Sequence, residues 1–430
     1  MDKINIHNSP SILNSHKFLP LFVIQFLNAL NDNILKMAVL VMITYQGFKL
    51  FGLGAELSVN IVALLFVLPF FLFSVYGGKI GDAYCKARLI KIIKYCEVVI
   101  ITFAAIGFFT KSLTILVLAL FLMGVHSTFF GPIKYSILPQ YISDRKLLLL
   151  ANGYTEFGTF VAVLLGQFLG GWYMGKGSVN MIVLLLCIST FSGLILSYRL
   201  QKVLPFGRKE KLSWNIVKNT FELCKTVFAS KETRNNIHAI SWFWALGVVY
   251  TTQLSLFTKH YLGGSSHVFS VLLIIFSISI GIGSIFCSRM SNGQVIKKYV
   301  IIGTMGMVVF TLFFLLINHI PHSNCLELAQ FSKTYKGITD YILIAIIGFF
   351  AGLYSITCYN GLQILSPLGI LSQIFAVNNI LNAAYMLLIS VICTVLLLFI
   401  NIWWLLFVVL IIANLIFAYL YWLANFTQKN

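Results

Sequence analysis

The residues best placed to do chemistry are carboxylates, amides and lysines set inside long apolar runs, where each is costly. In the run 18–45, Gln25, Asn28, Asp32 and Lys36 follow one another at spacings of 3, 4 and 4, which puts their side chains on one face of a helix. A carboxylate at the middle of a bilayer costs about 3 kcal/mol on insertion scales, so Asp32 needs a partner or a water-filled cavity. Lys36, one turn on, could neutralise it as a structural ion pair; the other reading is that the stripe lines a pathway. Asn31 and Asn33 add polarity on other faces. The run 113–131 closes on Phe129-Phe130-Gly131-Pro132-Ile133-Lys134-Tyr135, with Pro139 and Gln140 beyond it. Two prolines are expected to interrupt the helix there, and such breaks often line sites in transporters. The next run sets Asn152, Glu156 and Thr159 on one face, with Gly158, Gly166, Gly170 and Gly171 for close packing; Glu156 is a candidate partner for Lys134. In the second half the polar groups are neutral: Gln253, Tyr354, Asn360, Gln363 and the cluster Asn378, Asn379 and Asn382. These amides either hydrogen-bond neighbouring helices or bind hydroxyl, phosphoryl or ester oxygens.

No catalytic constellation emerges. Histidines 126, 238, 260, 267, 319 and 322 lack a regular ligand spacing, and no Ser, His and Asp set can be assembled. Gly281-Ile282-Gly283-Ser284 lies inside an apolar run rather than after a strand, which argues against a phosphate-cradling loop. The eight cysteines show no CxxC pattern and read as free thiols in apolar surroundings. An enzyme, a cofactor and a metal site are therefore not expected.

The elements that must hold these groups are membrane helices. Only 10% of the 430 residues are charged and 59% are hydrophobic, against roughly 25% charged in soluble domains. From 341 to 428 there is no Asp, Glu, Lys, Arg or His. Runs of about the 20 residues that cross a bilayer fall at 18–45, 59–78, 89–109, 113–131, 151–174, 181–200, 237–256, 268–286, 299–317, 341–362, 374–400 and 402–423. Helices close their own backbone hydrogen bonds in lipid, whereas barrel strands are about half as long and alternate in polarity. The fold class expected is an all-α membrane protein. A polar interruption divides six runs from six, giving an N-terminal bundle at 1–200, a linker at 201–236 and a C-terminal bundle at 237–430. Most of the 30 Lys and Arg residues fall in alternate loops, which accounts for the net charge of +18 without nucleic acid and places both termini in the cytoplasm. The first run is too long and too polar at its centre for a cleaved signal peptide. Within the linker, 213–228 carries Trp214, Val217, Phe221, Cys224 and Phe228 at helical spacing, an interfacial helix with lysines toward lipid phosphate. The loop 321–339, with Cys325, Glu327 and Lys333, suggests no chemistry.

The stretch Gly78-Lys79-Ile80-Gly81-Asp82-Ala83-Tyr84-Cys85-Lys86-Ala87-Arg88-Leu89 resembles the signature loop of the major facilitator superfamily. Glycines there let helices approach, and the carboxylate can bond the dipole-positive start of a neighbouring helix or a basic partner across the bundle interface. Gly78, Gly81, Asp82, Lys86 and Arg88 are accordingly the gate candidates. Within that superfamily the chain resembles the lysophospholipid transporter branch, which includes the transporter domain fused to acyl-glycerophosphoethanolamine acyltransferases. The resemblance spans nearly the whole chain. Its residues are Phe18-Leu19-Pro20-Leu21-Phe22 through Asn28-Ala29-Leu30-Asn31-Asp32-Asn33, Ser127 through Gln140, Ile240-Ser241-Trp242-Phe243-Trp244 and Asn378-Asn379-Ile380-Leu381-Asn382-Ala383. It implies twelve transmembrane helices in two six-helix bundles, alternating access, and movement of lysophospholipid to the cytoplasmic leaflet of a bacterial inner membrane, where a separate acyltransferase restores diacyl lipid. Membrane lipids and that enzyme are the implied partners. Candidate substrate contacts are Gln25, Asn28, Asp32, Lys36, Lys134, Asn152, Glu156, Asn378, Asn379 and Asn382. The chain departs from the family where basic residues between the tenth and eleventh spans give way to the neutral run 366–373, and where Ser288 stands before Arg289 in place of an acid. The alternative is a proton-coupled exporter or small-solute carrier in which Asp32 or Glu156 titrates; a third is a scaffold or receptor that transports nothing.

Overall fold

The computed structural model describes residues 12–207, 215–320, 326–400 and 403–426. A short 3₁₀ turn leads into α1 (Phe18–Thr44), α2 (Ala55–Ala83), α3 (Lys86–Phe109), α4 (Leu113–Tyr141), α5 (Arg145–Gly175) and α6 (Val179–Ser197). The amphipathic α7 (Ile216–Phe228) follows. Then come α8 (Lys231–Phe257), α9 (Ser266–Met290), α10 (Lys298–Ile317), the one-turn α11 (Leu328–Phe331), α12 (Tyr335–Ile364), α13 (Leu371–Ile400) and α14 (Trp403–Phe426). Among the described residues, eleven helices are long and apolar enough to cross a membrane. The twelfth long helix, α8, has 27 residues but opens on Lys231, Glu232 and Arg234. Both Ser213 and Trp214 of the expected interfacial helix, and Cys325 of the outer loop, lie outside the described residues.

Local chemistry fixes the helix starts. Asp144 caps α5 by accepting from Leu147 N at 2.9 Å, Asn215 caps α7 through Lys218 N at 2.9 Å, and Thr334 caps α12 through Gly337 N at 2.9 Å. The expected interruption of the fourth span does not occur. α4 runs unbroken for 29 residues with Pro132 and Pro139 inside it. Neighbouring helices and side chains can re-satisfy what a membrane proline frees, and this one does so with consequences described below.

Helices α1–α6 pack among themselves, as do α8, α9, α10, α12, α13 and α14, in two six-helix bundles. Small residues set the close approaches: a Cβ on Gly166 would lie 2.7 Å from Leu30 O, and one on Gly283 would lie 2.1 Å from Phe349 O. The bundles meet along α5 against α9, and α2 and α4 against α13. α7 rests against α2, α8 and α13. It buries Asn219, Leu223 and Val227 and exposes Val217 and Phe221.

Candidate functional site

The two halves close on each other at the end of the molecule that carries the basic loop between α2 and α3. The first N–H groups of any helix lack intrahelical partners and carry the positive end of its dipole. At the start of α13 those donors are taken by a carboxylate from the other half: Ser372 N and Gln373 N donate to Asp82 Oδ1 and Oδ2 at 2.9 and 3.0 Å. Asp82 is 1% exposed. Lys86 Nζ stands 3.8 Å from Asp82 Oδ1, also buried. Gly78 and Gly81 are necessary because α13 passes directly over them: a Cβ on Gly78 would meet Gln373 Cα and Ala376 Cβ at 2.8 Å, and one on Gly81 would meet Ser372 Cβ at 2.8 Å. The linker adds a strap, with Gly207 N donating to Asp82 O at 3.2 Å. Arg88 is exposed.

A second layer of cross-bundle bonds lies deeper. Proline at 139 cannot donate to the carbonyl of Tyr135, four residues back, and Gln363 Nε2 of α12 takes up that freed oxygen. Asn152 Nδ2 of α5 donates to Asn360 Oδ1 at 2.8 Å and Gln363 Oε1 at 2.6 Å. Ser136 and Ser372 share a hydrogen bond of 2.7 Å. The Tyr135 ring is stacked between Tyr359 and Phe375, with centroids 5.1 and 4.8 Å away, and its hydroxyl donates to Glu156 Oε1 at 2.8 Å. Glu156 takes this bond from Tyr135 and lies within electrostatic range of Lys134, its candidate partner, without a direct ion pair.

Beyond this seal the candidate contacts separate into two groups. Gln25 is buried and ties α1 to α5 through Thr155 O at 3.0 Å and Thr159 Oγ1 at 3.2 Å. Asn28 is buried and accepts from Lys94 at 3.4 Å. Asn378 is 1% exposed, and Asn382 accepts from Ser241 at 2.9 Å. The other group keeps part of its surface open: Asp32, Lys36, Lys134 and Asn379. Asp32 Oδ2 accepts from Ser127 at 2.7 Å. The ammonium of Lys36 lies 5.7 Å from the Phe66 ring centroid, and that of Lys134 lies 4.7 Å from the Tyr135 ring. Neither lysine takes an ion-pair partner among the described residues. Asn379 faces Gly131, where a Cβ would come within 3.0 Å of its Nδ2. The stripe on α1 is thus divided: two members bind helices together and two stay partly exposed. The partly exposed charged groups come from the N-terminal half, and α13 offers the amide of Asn379 beside α4.

Sequence reasoning did not single out Tyr135, Ser372, or a buried polar cluster in the N-terminal bundle. There Lys94 pairs with Glu97, Asn31 Nδ2 donates to Glu97 Oε1 at 2.7 Å and Thr190 Oγ1 at 2.9 Å, and His126 Nε2 stands 3.5 Å from Glu97 Oε2. Lys94 lies inside α3 and is wholly buried, not a loop cation. The available signal was Glu97 itself, an acid inside the run 89–109 three residues from a lysine. The second half also holds a buried carboxylate, because α12 begins six residues before the expected 341: Asp340 accepts from Asn318 at 2.6 Å.

Two six-helix bundles that meet at one end through a Gly-x-x-Gly-Asp loop are the architecture of a membrane transporter. The model of the Major Facilitator Superfamily matches residues 21–388, and the chain belongs to that superfamily. It is similar to the Lysophospholipid transporter LplT of Cronobacter sakazakii (strain ATCC BAA-894), 24% identical over 352 residues that cover 79% of this chain and 78% of that protein. It is likewise similar to the Lysophospholipid transporter LplT of Escherichia coli O1:K1 / APEC, 24% identical over 359 residues, covering 81% and 80%. Among solved structures it shares its fold with the Major Facilitator Superfamily transporter FucP in the outward conformation, with a TM-score of 0.70 at 13% identity over 98% of this chain and 100% of that one. A bacterial homologue of the iron transporter ferroportin in the outward-facing state gives the same TM-score and identity over 94% and 98%.

Proposed function

We propose that this protein moves lysophospholipid to the cytoplasmic leaflet of a bacterial inner membrane, where a separate acyltransferase restores diacyl lipid. The observation that carries the reading is the similarity, across about four fifths of each chain, to curated proteins named lysophospholipid transporters. The cleft suits such a substrate. Asp32, Lys36 and Lys134 provide both signs of charge for a zwitterionic headgroup, and the surrounding apolar helix faces accept one acyl chain. The halves 1–200 and 237–430 rock about the cleft, with 201–236 as the tether and the basic end as the cytoplasmic gate. In this arrangement the gate is shut and the cleft is offered to the opposite face; both termini lie in the cytoplasm, as the cation bias requires.

The test is leaflet-resolved uptake of fluorescent lysophospholipid by proteoliposomes. Uptake above that of empty liposomes, abolished by crosslinking the gate between α2 and α13, is the expected result. Transport of a soluble solute, collapsed by an uncoupler, with no lipid flux, would instead support a proton-coupled carrier.

A further inference from the structure

The cluster around His126 is built for something beyond packing. Lys94, Glu97 and His126 have side chains with no exposed surface, inside a bundle of apolar helices. Buried polar groups in native proteins are nearly always satisfied, yet four here are not. His126 Nδ1 and Nε2 both lack a hydrogen-bond partner, and so do the acceptors Asn31 Oδ1 and Asp32 Oδ1 on α1. A neutral imidazole always carries one N–H and one bare nitrogen, whereas the protonated ring is a donor at both ends. One added proton therefore turns a ring with two unmet nitrogens into a double donor in a layer with two unmet oxygens and the Glu97 carboxylate 3.5 Å away.

The surrounding charges fit that addition. From α3, Glu97 stands 3.5 Å from the ring and its charge is offset by Lys94. α1 contributes Asp32, within electrostatic range of His126 and bonded through Oδ2 to the adjacent Ser127, with Lys36 one turn further. α6 offers the neutral Thr190 and the Cys187 thiol. The segment 66–75 of α2 opposite carries no titratable side chain, and on α4 itself the next charge is Lys134, two turns on. Asp32 is the member that also reaches the cleft.

We propose that His126, backed by Glu97, is a proton-binding site of the N-terminal bundle, and that its proton competes with a cationic headgroup for the single negative charge of Asp32. Binding of an ammonium headgroup then expels a proton by linkage, since each positive charge weakens the other's attraction to the same carboxylate. The imidazolium N–H bond breaks, its electron pair staying on nitrogen, and the proton forms an O–H bond to water. The competition rests on the lysophospholipid reading, whereas proton binding by His126 does not.

Two measurements keep these apart. Potentiometric titration of ligand-free protein in detergent between about pH 5.5 and about pH 8, the range in which histidine charges, should show wild type taking up about one proton more than His126→Gln. Equal uptake by the two folded proteins overturns the site, whatever the lipid does; His126→Asn serves if the glutamine variant does not fold. The second measurement is lysophosphatidylethanolamine binding across the same range in weakly buffered solution. Affinity several-fold weaker at the acid end, with proton release that His126→Gln abolishes while binding persists, is expected. Binding with no proton release, or with an unaltered pH profile in the variant, overturns the competition. Absence of lipid binding at every pH together with an intact titration difference removes the substrate reading and the competition while leaving the proton site.

Discussion

At Asp32 the cost of charge and the use of charge can be separated by one substitution. Its Oδ2 is satisfied by Ser127 at 2.7 Å while Oδ1 has no partner, and part of the residue remains open to the cleft. Asn in its place keeps the size and one acceptor, so Asp32→Asn should melt within a few degrees of wild type while lysophospholipid uptake falls about tenfold, equivalent to about 1.4 kcal/mol of lost headgroup attraction. Normal uptake by a folded variant would remove the charge from the pathway; an unfolded variant would return Asp32 to a structural role. Gln25, from the same stripe, should behave differently. Its amide binds Thr155 and Thr159, so Gln25→Leu should lower thermal stability by about 1–3 kcal/mol, the cost of stranding buried partners, before it alters substrate selectivity. The helical spacing made the common face of these residues legible. It could not say which members would be spent on neighbouring helices, because those partners sit more than 100 positions away in the chain.

Glycines on different helices make opposite predictions although both are packed beyond what a Cβ allows. Gly283 lies within the C-terminal bundle, 2.1 Å from Phe349 O on the Cβ measure, so Gly283→Ala must push α9 from α12 in every conformation and should cost about 1–3 kcal/mol of stability. Gly78 is crowded only by α13 of the other half. Gly78→Ala should leave the melting temperature nearly unchanged and shift the protein toward an open basic end, seen as faster labelling of a cysteine placed at Gln373. Asp82→Ala should likewise open the basic end by removing a charged cap of α13, worth about 1–2 kcal/mol and so roughly a tenfold change in the open population, with some loss of stability because the buried Lys86 loses its partner. Equal labelling of all three proteins would show that the seam is not a gate. The contact at Asp82 was legible as a gate candidate because its glycines and carboxylate are contiguous in sequence. The proline effect was legible only in part: the sequence pointed to a freed backbone group on α4, but α4 stays continuous and the Tyr135 carbonyl is claimed by Gln363, 228 residues away.

For the molecule as a whole, the distribution of charge between the two halves bears on substrate size. The partly exposed charges Asp32, Lys36 and Lys134 stand on α1 and α4, while α13 presents the amide of Asn379, and stacked aromatic rings surround Tyr135. A headgroup drawn to the N-terminal wall leaves its tail to exit between apolar helix faces on one side. A second acyl chain would have to leave through the seams that α2 and α4 make with α13, or α5 with α9, which are closed at the basic end. Each must part further to pass two chains than one, and every added separation exposes more of the bonded layer formed by Asn152, Asn360 and Gln363. Reconstituted protein should therefore take up fluorescent lysophospholipid at least about tenfold faster than the diacyl lipid of the same headgroup, a discrimination of about 1.4 kcal/mol. Asn152→Ala, which loosens that layer without touching the charged wall, should narrow the ratio by admitting diacyl lipid more than by slowing the lyso form. Equal rates for the two lipids in wild type would place the tail outside the cleft altogether and leave the apolar interior without a part in selection.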